Sequence, residues 1–469
     1  MFTQGERSLE ILRATLRAAL YVFLIAVPLP FGSVQPWAVF ALEMYVVALT
    51  LLASALVLHG QDQTNAMIRR IHIPVGLLIA IGVAQLIPVP DAWTRIIANP
   101  TANARMAVSA ALPDLVQGPN PTSIEPPATL DALLRLVSYG LIALCASLAV
   151  RTRAQFRTMA LVVALSGACQ ALYGSTEYLS GRQHIFWYAK RAFADEASGT
   201  FINRNHFAGY LILALALAYA VALDRNRHRR RRLDWRSHLV ALTEPDGLVS
   251  LAGWFSAAVA WVGVVLSYSR GGMAVALIVT AIVFMTAVNR DRRVRFVVVV
   301  LILPITWLLW QEVRAPGERF LLNERQIATV GGRAVVWQSS LRMVPDYPIL
   351  GTGYGTYEDA FALYRPSEVR LRWDHAHNDW LQVLVEGGAI AVAAVGVLLI
   401  QLIRLMIGRK RSILDVCVLA GIVGTALHAT VDFGLRIPAI AATVAAIVGA
   451  YVGSATPTQR QKSVVSIVR

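Results

Sequence analysis

The sequence has little charge for its length. Of its 469 residues, 15% are charged and 56% are hydrophobic, and the mean hydropathy is +0.56. Soluble globular proteins carry about 25% charged residues, so this composition excludes that class. It predicts an all-α integral membrane protein with about 12 transmembrane helices.

Cysteine is scarce, and the common cofactor motifs are missing. The three cysteines, Cys145, Cys169 and Cys417, lie inside apolar segments without paired or metal-ligand spacing, which excludes a disulfide framework. The sequence has no Walker loop, dinucleotide-binding glycine motif, HExxH or GxSxG, and its outer loops lack a DxD-like acidic pair. We therefore expect chemistry without a metal, a nucleotide or another cofactor.

The apolar segments define the predicted topology. They lie near 14–34, 37–59, 71–89, 130–150, 158–178, 206–223, 248–266, 272–288, 296–311, 381–403, 413–428 and 437–454. If the N-terminus is cytoplasmic, every short basic loop is also cytoplasmic, which predicts that both termini lie inside. The first segment lacks a small-residue cleavage pattern after it, so we expect it to be retained.

The net charge of +15 could indicate nucleic-acid binding. However, the basic residues fall in short runs between apolar segments, which is how membrane proteins set their orientation. We interpret the run RNRHRRRR at 225–232 as a cytoplasmic anchor beside anionic lipid headgroups. We therefore expect membrane lipids, and no nucleic acid, as partners.

The predicted helices divide the chain into three parts. These are residues 1–310, with helices 1 to 9 and outer loops at 90–129 and 180–205; residues 311–379, a large outer loop with short helices; and residues 380–469, with helices 10 to 12 and a cytoplasmic tail. Within the large loop, the apolar period from Arg333 to Met343 predicts a helix.

The large loop ends in a polar stretch, WDHAHNDWLQVLVEGG, at 373–388. His375 and His377 are two residues apart, so they project from one face of an extended chain. Asp379 and Gln382 have the spacing of a helix N-cap and its capping-box partner, which puts His377 just before a helix at the membrane surface. Because imidazole accepts protons near neutral pH, His377 is a candidate general base. The alternative is an interfacial histidine that only forms hydrogen bonds.

The outer side carries more cationic groups than Asp195, Glu196 and Asp379 could neutralise. These cationic residues are Lys190, Arg191, Arg204, Arg270 and Arg333. Guanidinium groups bind phosphate oxygens through paired hydrogen bonds, so a lipid-linked phosphate or diphosphate is the expected ligand. Alternatively, the arginines pair with lipid headgroups or with loop glutamates, namely Glu318, Glu324 and Glu358.

The stretch HNDWLQVLVEGG resembles the His-Asn signature of the O-antigen ligase and polymerase superfamily, in which a GxxG follows after nine residues. Here His377-Asn378 leads to Gly388, and Ala391 replaces the second glycine. Four further motifs are similar to the family: GTFINRNHFAGYL at 199–211, SYSRGG at 267–272, GGRAVVWQSSLRMVPDYPILGTGYGTYEDAF at 331–361 and HATVDFGLRIPA at 428–439.

The resemblance implies an inner-membrane glycosyltransferase with its site facing the periplasm, which makes the outer loops periplasmic. It implies that His377, Arg270 and Arg333 are essential. Lys190, Arg191 and Arg204 are added as diphosphate ligands on charge alone. His375, Asn378, Asp379 and Asp432 are candidate supporting residues, Asp432 either orienting an arginine or capping a helix, and His375 could exchange roles with His377.

The activity implied is that of an O-antigen ligase in lipopolysaccharide biosynthesis. Such an enzyme transfers O-antigen from undecaprenyl diphosphate to a sugar hydroxyl of lipid A-core, here without a metal and with inversion. The alternatives are an O-antigen polymerase, a protein O-oligosaccharyltransferase and, from another class, a polyprenol-glycolipid transporter. A transporter should show charges in mid-span and two repeated halves, which this sequence lacks.

Overall fold

A computed structural model describes residues 4–59, 66–90, 92, 100, 101, 103, 110, 120–224, 244–287, 330–367, 372–407 and 412–455. The described chain is mostly helical, which confirms the all-α class. Its helices are α1 Gln4–Ala26, α2 Pro36–His59, α3 Ala66–Leu86, α4 Pro126–Ala149, α5 Arg153–Leu179, α6 Arg204–Leu223, α7 Pro245–Leu266, α8 Arg270–Ala287, α9 Val330–Leu341, α10 Tyr357–Tyr364, α11 Asp379–Ile407, α12 Ile413–His428 and α13 Pro438–Ala455.

Eleven of the twelve predicted apolar segments coincide with these helices, and the segment at 296–311 lies outside the described residues. Within the described chain, seven helices are long and apolar enough to cross a membrane: α2, α4, α5, α6, α7, α11 and α13. Apolar stretches of α3, α8 and α12 are shorter. The multi-spanning character is therefore confirmed, whereas twelve crossings stay a prediction.

Helix α6 is the centre of the bundle. It packs against α5, α7, α8 and α12, and its side chains are buried along nearly its whole length. The sequence LILALALAYAVAL is apolar on every side, as expected for a helix surrounded by other helices. Asn203 caps the helix through the backbone N–H of Asn205 at 2.8 Å. Arg204 and His206, at the N-terminal end of α6, therefore have fixed positions in the bundle.

A short antiparallel hairpin, which the sequence did not predict, follows α5. Its strands are β1 (His184–Ile185) and β2 (Tyr188–Ala189), with Ile185 opposite Tyr188. The hairpin lies in the predicted outer loop at 180–205.

Helix α11 is interrupted at Gly388, where φ is +65° and ψ is −169°. This left-handed backbone favours glycine, and a side chain here would collide with the carbonyl of Ile349. Because the helical hydrogen-bond pattern stops at Gly388, backbone carbonyls just before it can accept from another part of the chain. The N–H groups of Thr352 and Gly353 donate to the carbonyls of Val385 and Glu386 at 2.9 and 3.1 Å.

The glycine-rich turn GTGYG at 351–355 forms as predicted. Its three glycines have φ values of +70°, +114° and +76°. Gln85 on α3 holds the turn: its amide nitrogen donates to the carbonyls of Leu350 and Glu386 at 2.5 and 2.8 Å, and its oxygen accepts from the N–H of Tyr354 at 3.0 Å. A side chain from the third helix thus fastens the outer subdomain to α11.

The start of α11 corrects one prediction. Asp379 is the first helical residue, and Asn378 is the cap, since its side-chain oxygen accepts from the N–H of Leu381 at 3.1 Å. Both residue types cap helices well, and the buried Asp379 side chain accepts instead from the N–H of Leu435 at 2.9 Å. Gln382 therefore does not complete the predicted capping box.

The described part of the large loop forms a small outer subdomain. Helices α9 and α10 and the histidine stretch share an apolar cluster that includes Val336, Tyr357, Phe361 and Trp373. Helix α9 confirms the helix predicted from the apolar period, and it ends before Pro345. The subdomain holds the histidine stretch against the outer end of the bundle.

Candidate active site

The His377 ring lies at the centre of the polar site. Its backbone is left-handed, with φ of +51°, an uncommon conformation for a residue other than glycine that costs about 1–3 kcal/mol. The ring meets Trp373 and Phe433 edge to face, with centroids 5.2 and 4.8 Å away. The side chain is 17% exposed. Tertiary contacts therefore hold this imidazole in a strained, partly accessible position.

Backbone contacts of the neighbouring residue fix the loop. Ala376 is buried; its carbonyl accepts from the indole N–H of Trp337 at 2.8 Å, and its N–H donates to the Gln382 side chain at 3.1 Å. Trp337 belongs to α9 and Gln382 to α11. The loop is thus clamped between two helices.

Asp432 lies between two histidines. Its carboxylate oxygens are 3.7 Å from Nδ1 of His377 and 3.7 Å from Nε2 of His206. The side chain is 1% exposed, and neither oxygen has a hydrogen-bond partner among the described residues. These distances are longer than hydrogen bonds, although catalytic contacts are often loose before substrate binds.

The histidines control the charge of Asp432. Burial alone would raise the pKa of its carboxyl group, but His206, His377 and His428 outweigh burial and lower the pKa below its usual range. Asp432 is therefore an anion enclosed by imidazoles. It stabilises positive charge on whichever of these rings takes up a proton.

His375 has different surroundings. Its Nδ1 faces the amide nitrogen of Gln382 at 3.1 Å, and its ring packs on Phe433 with centroids 4.2 Å apart. Burial, with a smaller contribution from Arg436, lowers the pKa of His375 to about 4 against the opposing effect of Asp374. At neutral pH this imidazole is uncharged, and one of its nitrogens is engaged in a hydrogen bond.

A buried ionic network lies behind His375. Gln382 also donates to the carboxylate of Glu386 at 2.8 Å, and Glu386 pairs with Arg436 at 2.5 Å. Arg436 is also 3.6 Å from Asp379. Burial would lower the pKa of Arg436, but the two carboxylates raise it above its ordinary value. This network ties α11 to the 3₁₀ turn Gly434–Arg436.

Arg333 and Gly271, the residue that follows Arg270, both approach Val431, which precedes Asp432 in the turn after α12. Nη1 of Arg333 donates to the carbonyl of Val431 at 2.6 Å. Burial lowers the pKa of Arg333, with Asp432 opposing that shift. Arg270 is the exposed first residue of α8, and a side chain added at the next residue, Gly271, would lie 3.0 Å from Val431.

The other three predicted cations form a second group. Arg204 pairs with the Glu196 carboxylate at 2.5 Å, and Lys190 donates to the carbonyl of Glu196 at 2.9 Å. Burial lowers the pKa of Lys190, and Glu196 and Glu177 oppose this. Arg191 is exposed. Glu196, one of the three carboxylates weighed against these cations, therefore neutralises Arg204 locally.

The sequence analysis did not identify His206, Glu386 or Arg436 as site residues. A signal existed for Glu386, because a lone charge in an apolar segment requires a buried partner. Arg436 lies within the quoted motif HATVDFGLRIPA. His206 lies on α6 and Asp432 lies in the turn after α12. The packing of these helices brings the two side chains together, and no spacing in the sequence indicates that contact.

Comparison with protein families identifies part of the chain. Residues 255–396 match a family model described as Wzy_C, O-Antigen ligase. No curated protein matches the chain. The matched region runs from α7 into α11 and contains Arg270, Arg333, His375 and His377. The resemblance is confirmed over this region, and it supports an O-antigen ligase type of function in the broad sense.

Proposed function

Because residues 255–396 match the O-antigen ligase family, we propose that this protein transfers O-antigen from undecaprenyl diphosphate to a sugar hydroxyl of lipid A-core. The observation that carries the proposal is the pairing of His377 with the buried Asp432, beside Arg333. A base, an anion that stabilises its protonated form and a guanidinium group are the parts required for glycosyl transfer from a diphosphate.

In the proposed reaction, His377 is the general base. Its Nδ1 faces Asp432, which leaves Nε2 for the acceptor hydroxyl. As Nε2 takes the proton, the acceptor oxygen bonds to the anomeric carbon. The bond from that carbon to the diphosphate oxygen breaks, and the diphosphate leaves with the electron pair. Direct displacement inverts the anomeric centre, and Asp432 stabilises the imidazolium that forms.

The geometry favours His377 over His375 as the base. His375 has a low pKa and a hydrogen bond to Gln382, so it is a weak proton acceptor. His377 has a carboxylate partner and partial exposure. In this proposal His375 supports the loop, together with Asn378 as the cap of α11 and Asp379 as a partner of Arg436.

The diphosphate is assigned to the arginines around the Asp432 turn. Arg270 is exposed and Arg333 is half-buried, and a half-buried guanidinium group stabilises phosphate charge more strongly than a fully solvated one. Lys190 and Arg191 remain candidates for the outer part of the donor. Arg204 is assigned a lesser role because Glu196 neutralises it.

The proposal includes the membrane arrangement. The protein lies in the bacterial inner membrane with both termini in the cytoplasm, and the subdomain within residues 311–379 faces the periplasm. Residues 1–310 and 380–469 supply the spanning helices. Support comes from the positive-inside pattern of the loops and from the location of all the site residues at one end of the helices.

The test is glycan transfer with purified components in chelator and without nucleotide. The donor is undecaprenyl diphosphate-linked O-antigen, and the acceptor is rough lipopolysaccharide. Wild type is compared with His377→Gln and with the control His184→Gln, which removes an outer-loop histidine on the hairpin. We expect transfer by wild type and the control, and its loss in folded His377→Gln.

The rival functions give different products. A protein that lengthens the donor glycan and leaves lipopolysaccharide unmodified is a polymerase. Modification of a supplied acceptor protein indicates an oligosaccharyltransferase. Movement of the donor across liposomes without transfer supports a transporter. Full activity in His377→Gln would contradict the mechanism.

A further inference from the structure

A cleft of about 260 Å³ opens beside the histidine stretch, between α10 and residues 372–373. Trp373 lines the cleft, and its ring is also the edge-to-face neighbour of His377. The volume is below the range of about 300–1,000 Å³ of pockets for drug-sized ligands. A single small ring fits this space, and it would lie one side chain away from the proposed base.

Trp373, one of the residues that line the cleft, has a buried hydrogen-bond donor without a partner among the described residues. The residue is 7% exposed, and the donor is its indole N–H. A buried polar group without a partner is costly, and buried tryptophan nitrogens usually find one. The neighbouring wall is the buried aromatic Phe361. An apolar wall with a free donor suits a ligand that has both a hydrophobic face and hydroxyl groups.

The described part of the rim of the cleft carries charged groups of both signs. It holds the carboxylates of Glu358 and Asp359 and the guanidinium groups of Arg365 and Arg372. Glu358 contacts Arg372, whereas Asp359 and Arg365 are exposed. Among the described residues of the rim, two anions and two cations compensate each other, so these side chains do not favour a phosphate or a cation. They offer acceptors and donors to a neutral ligand with several hydroxyls.

We infer that this cleft binds a pyranose ring of the acceptor glycan. The assignment of the ring to the acceptor rests on the proposed function. Asp359 and Arg365 bind hydroxyls of the ring, Phe361 and Trp373 cover its apolar face, and the Trp373 N–H binds a further hydroxyl. Occupation of the cleft directs the adjoining sugar toward His377.

The test measures binding and transfer separately. Delipidated core oligosaccharide from rough lipopolysaccharide is titrated into the purified protein and followed by saturation-transfer NMR. The variants are Asp359→Asn, Arg365→Gln and Trp373→Phe, with Arg342→Gln as the matched control, because Arg342 is an exposed arginine of the same subdomain that does not line the cleft. The same variants are assayed for the KM of acceptor and of donor.

We expect Asp359→Asn and Arg365→Gln to weaken oligosaccharide binding and raise the acceptor KM about tenfold, the effect of one hydrogen bond to a charged group. The donor KM of these variants should change by less than about twofold. Oligosaccharide binding and both KM values of the control Arg342→Gln should also change by less than about twofold. If Trp373→Phe does not fold, the two exposed positions still decide the result. Unchanged oligosaccharide binding in both overturns the inference.

The two proposals can fail separately. Oligosaccharide binding that depends on Asp359, in a protein that transfers no glycan, would support the cleft and refute the ligase. Glycan transfer by the wild type, with an acceptor KM that neither Asp359→Asn nor Arg365→Gln changes, would support the ligase and refute the cleft.

Discussion

The buried pair of Glu386 and Arg436 allows a sharp test of how the site is held. We consider Arg436→Met, Glu386→Leu and the double variant. Glu386 is fully buried, and Arg436 lies 2.5 Å from it with 22% of its side chain exposed. In Arg436→Met, the amide of Gln382 is the one described group that still donates to the Glu386 carboxylate. In Glu386→Leu, the guanidinium group keeps its longer contact with the described Asp379.

Arg436→Met leaves the buried Glu386 carboxylate without its cation, which costs about 3–5 kcal/mol of unfolding free energy. Glu386→Leu should cost less, because Arg436 is partly exposed and keeps its contact with Asp379. The double variant removes both charges and replaces them with apolar groups, so we expect it to recover most of this loss. The coupling energy from the double-mutant cycle should therefore be at least about 2 kcal/mol.

The assay is reversible unfolding in mixed micelles of dodecylmaltoside and SDS, followed by circular dichroism. The control is Arg153→Met at the other end of the bundle. Its partner Asp415 is 2.9 Å away but also accepts from Tyr451, and 42% of the Arg153 side chain is exposed. We expect that variant to lose about 1 kcal/mol or less. Additive losses from Arg436→Met and Glu386→Leu would refute the buried-pair argument.

Three further predictions concern the site. Asp432→Asn should lower the rate of glycan transfer about 10²–10⁴-fold, as loss of assisted proton transfer does, while donor binding persists; an unchanged rate would remove Asp432 from the mechanism. The folded-state pKa of His375 is about 4 and the unfolded value about 6.5, so the unfolded state binds more protons between these pH values. Unfolding free energy should therefore fall as pH drops from about 6.5 to about 4, and less steeply in His375→Asn. Gln85→Leu should cost about 2–4 kcal/mol, because three hydrogen bonds are lost, and comparison with wild type in the same unfolding assay tests this.

The sequence predicted the helices well because a lipid-facing helix must be apolar over its length, and that signal is local. The start of α11 was less certain because Asn378 and Asp379 are both good caps. Which of the two residues caps the helix depends on the N–H of Leu435, which donates to the Asp379 carboxylate and leaves Asn378 as the cap. Local pattern alone does not contain that contact.

The sequence predicted individual candidate residues of the site but not the contacts between them. His377, Arg270 and Arg333 could be found from motifs, but the pairing of His206 with Asp432 depends on how α6 packs against α12. The sequence predicted an excess of cations over carboxylates in the outer loops, but it did not indicate that Glu196 pairs with Arg204. Net charge over a set of loops does not show which charges meet.

The interruption at Gly388 gives α11 two mechanical roles. The upper turns, 379–387, share hydrogen bonds with the outer subdomain and carry the cap beside His377. The following turns, from 389 onward, have exposed apolar side chains such as Val392, Val397 and Ile400. Because glycine tolerates a wide range of backbone angles, we expect a change in tilt of residues 389–407 in a thicker or thinner bilayer to be absorbed near Gly388. The alignment of His377 with Asp432 should then depend little on the thickness of the membrane.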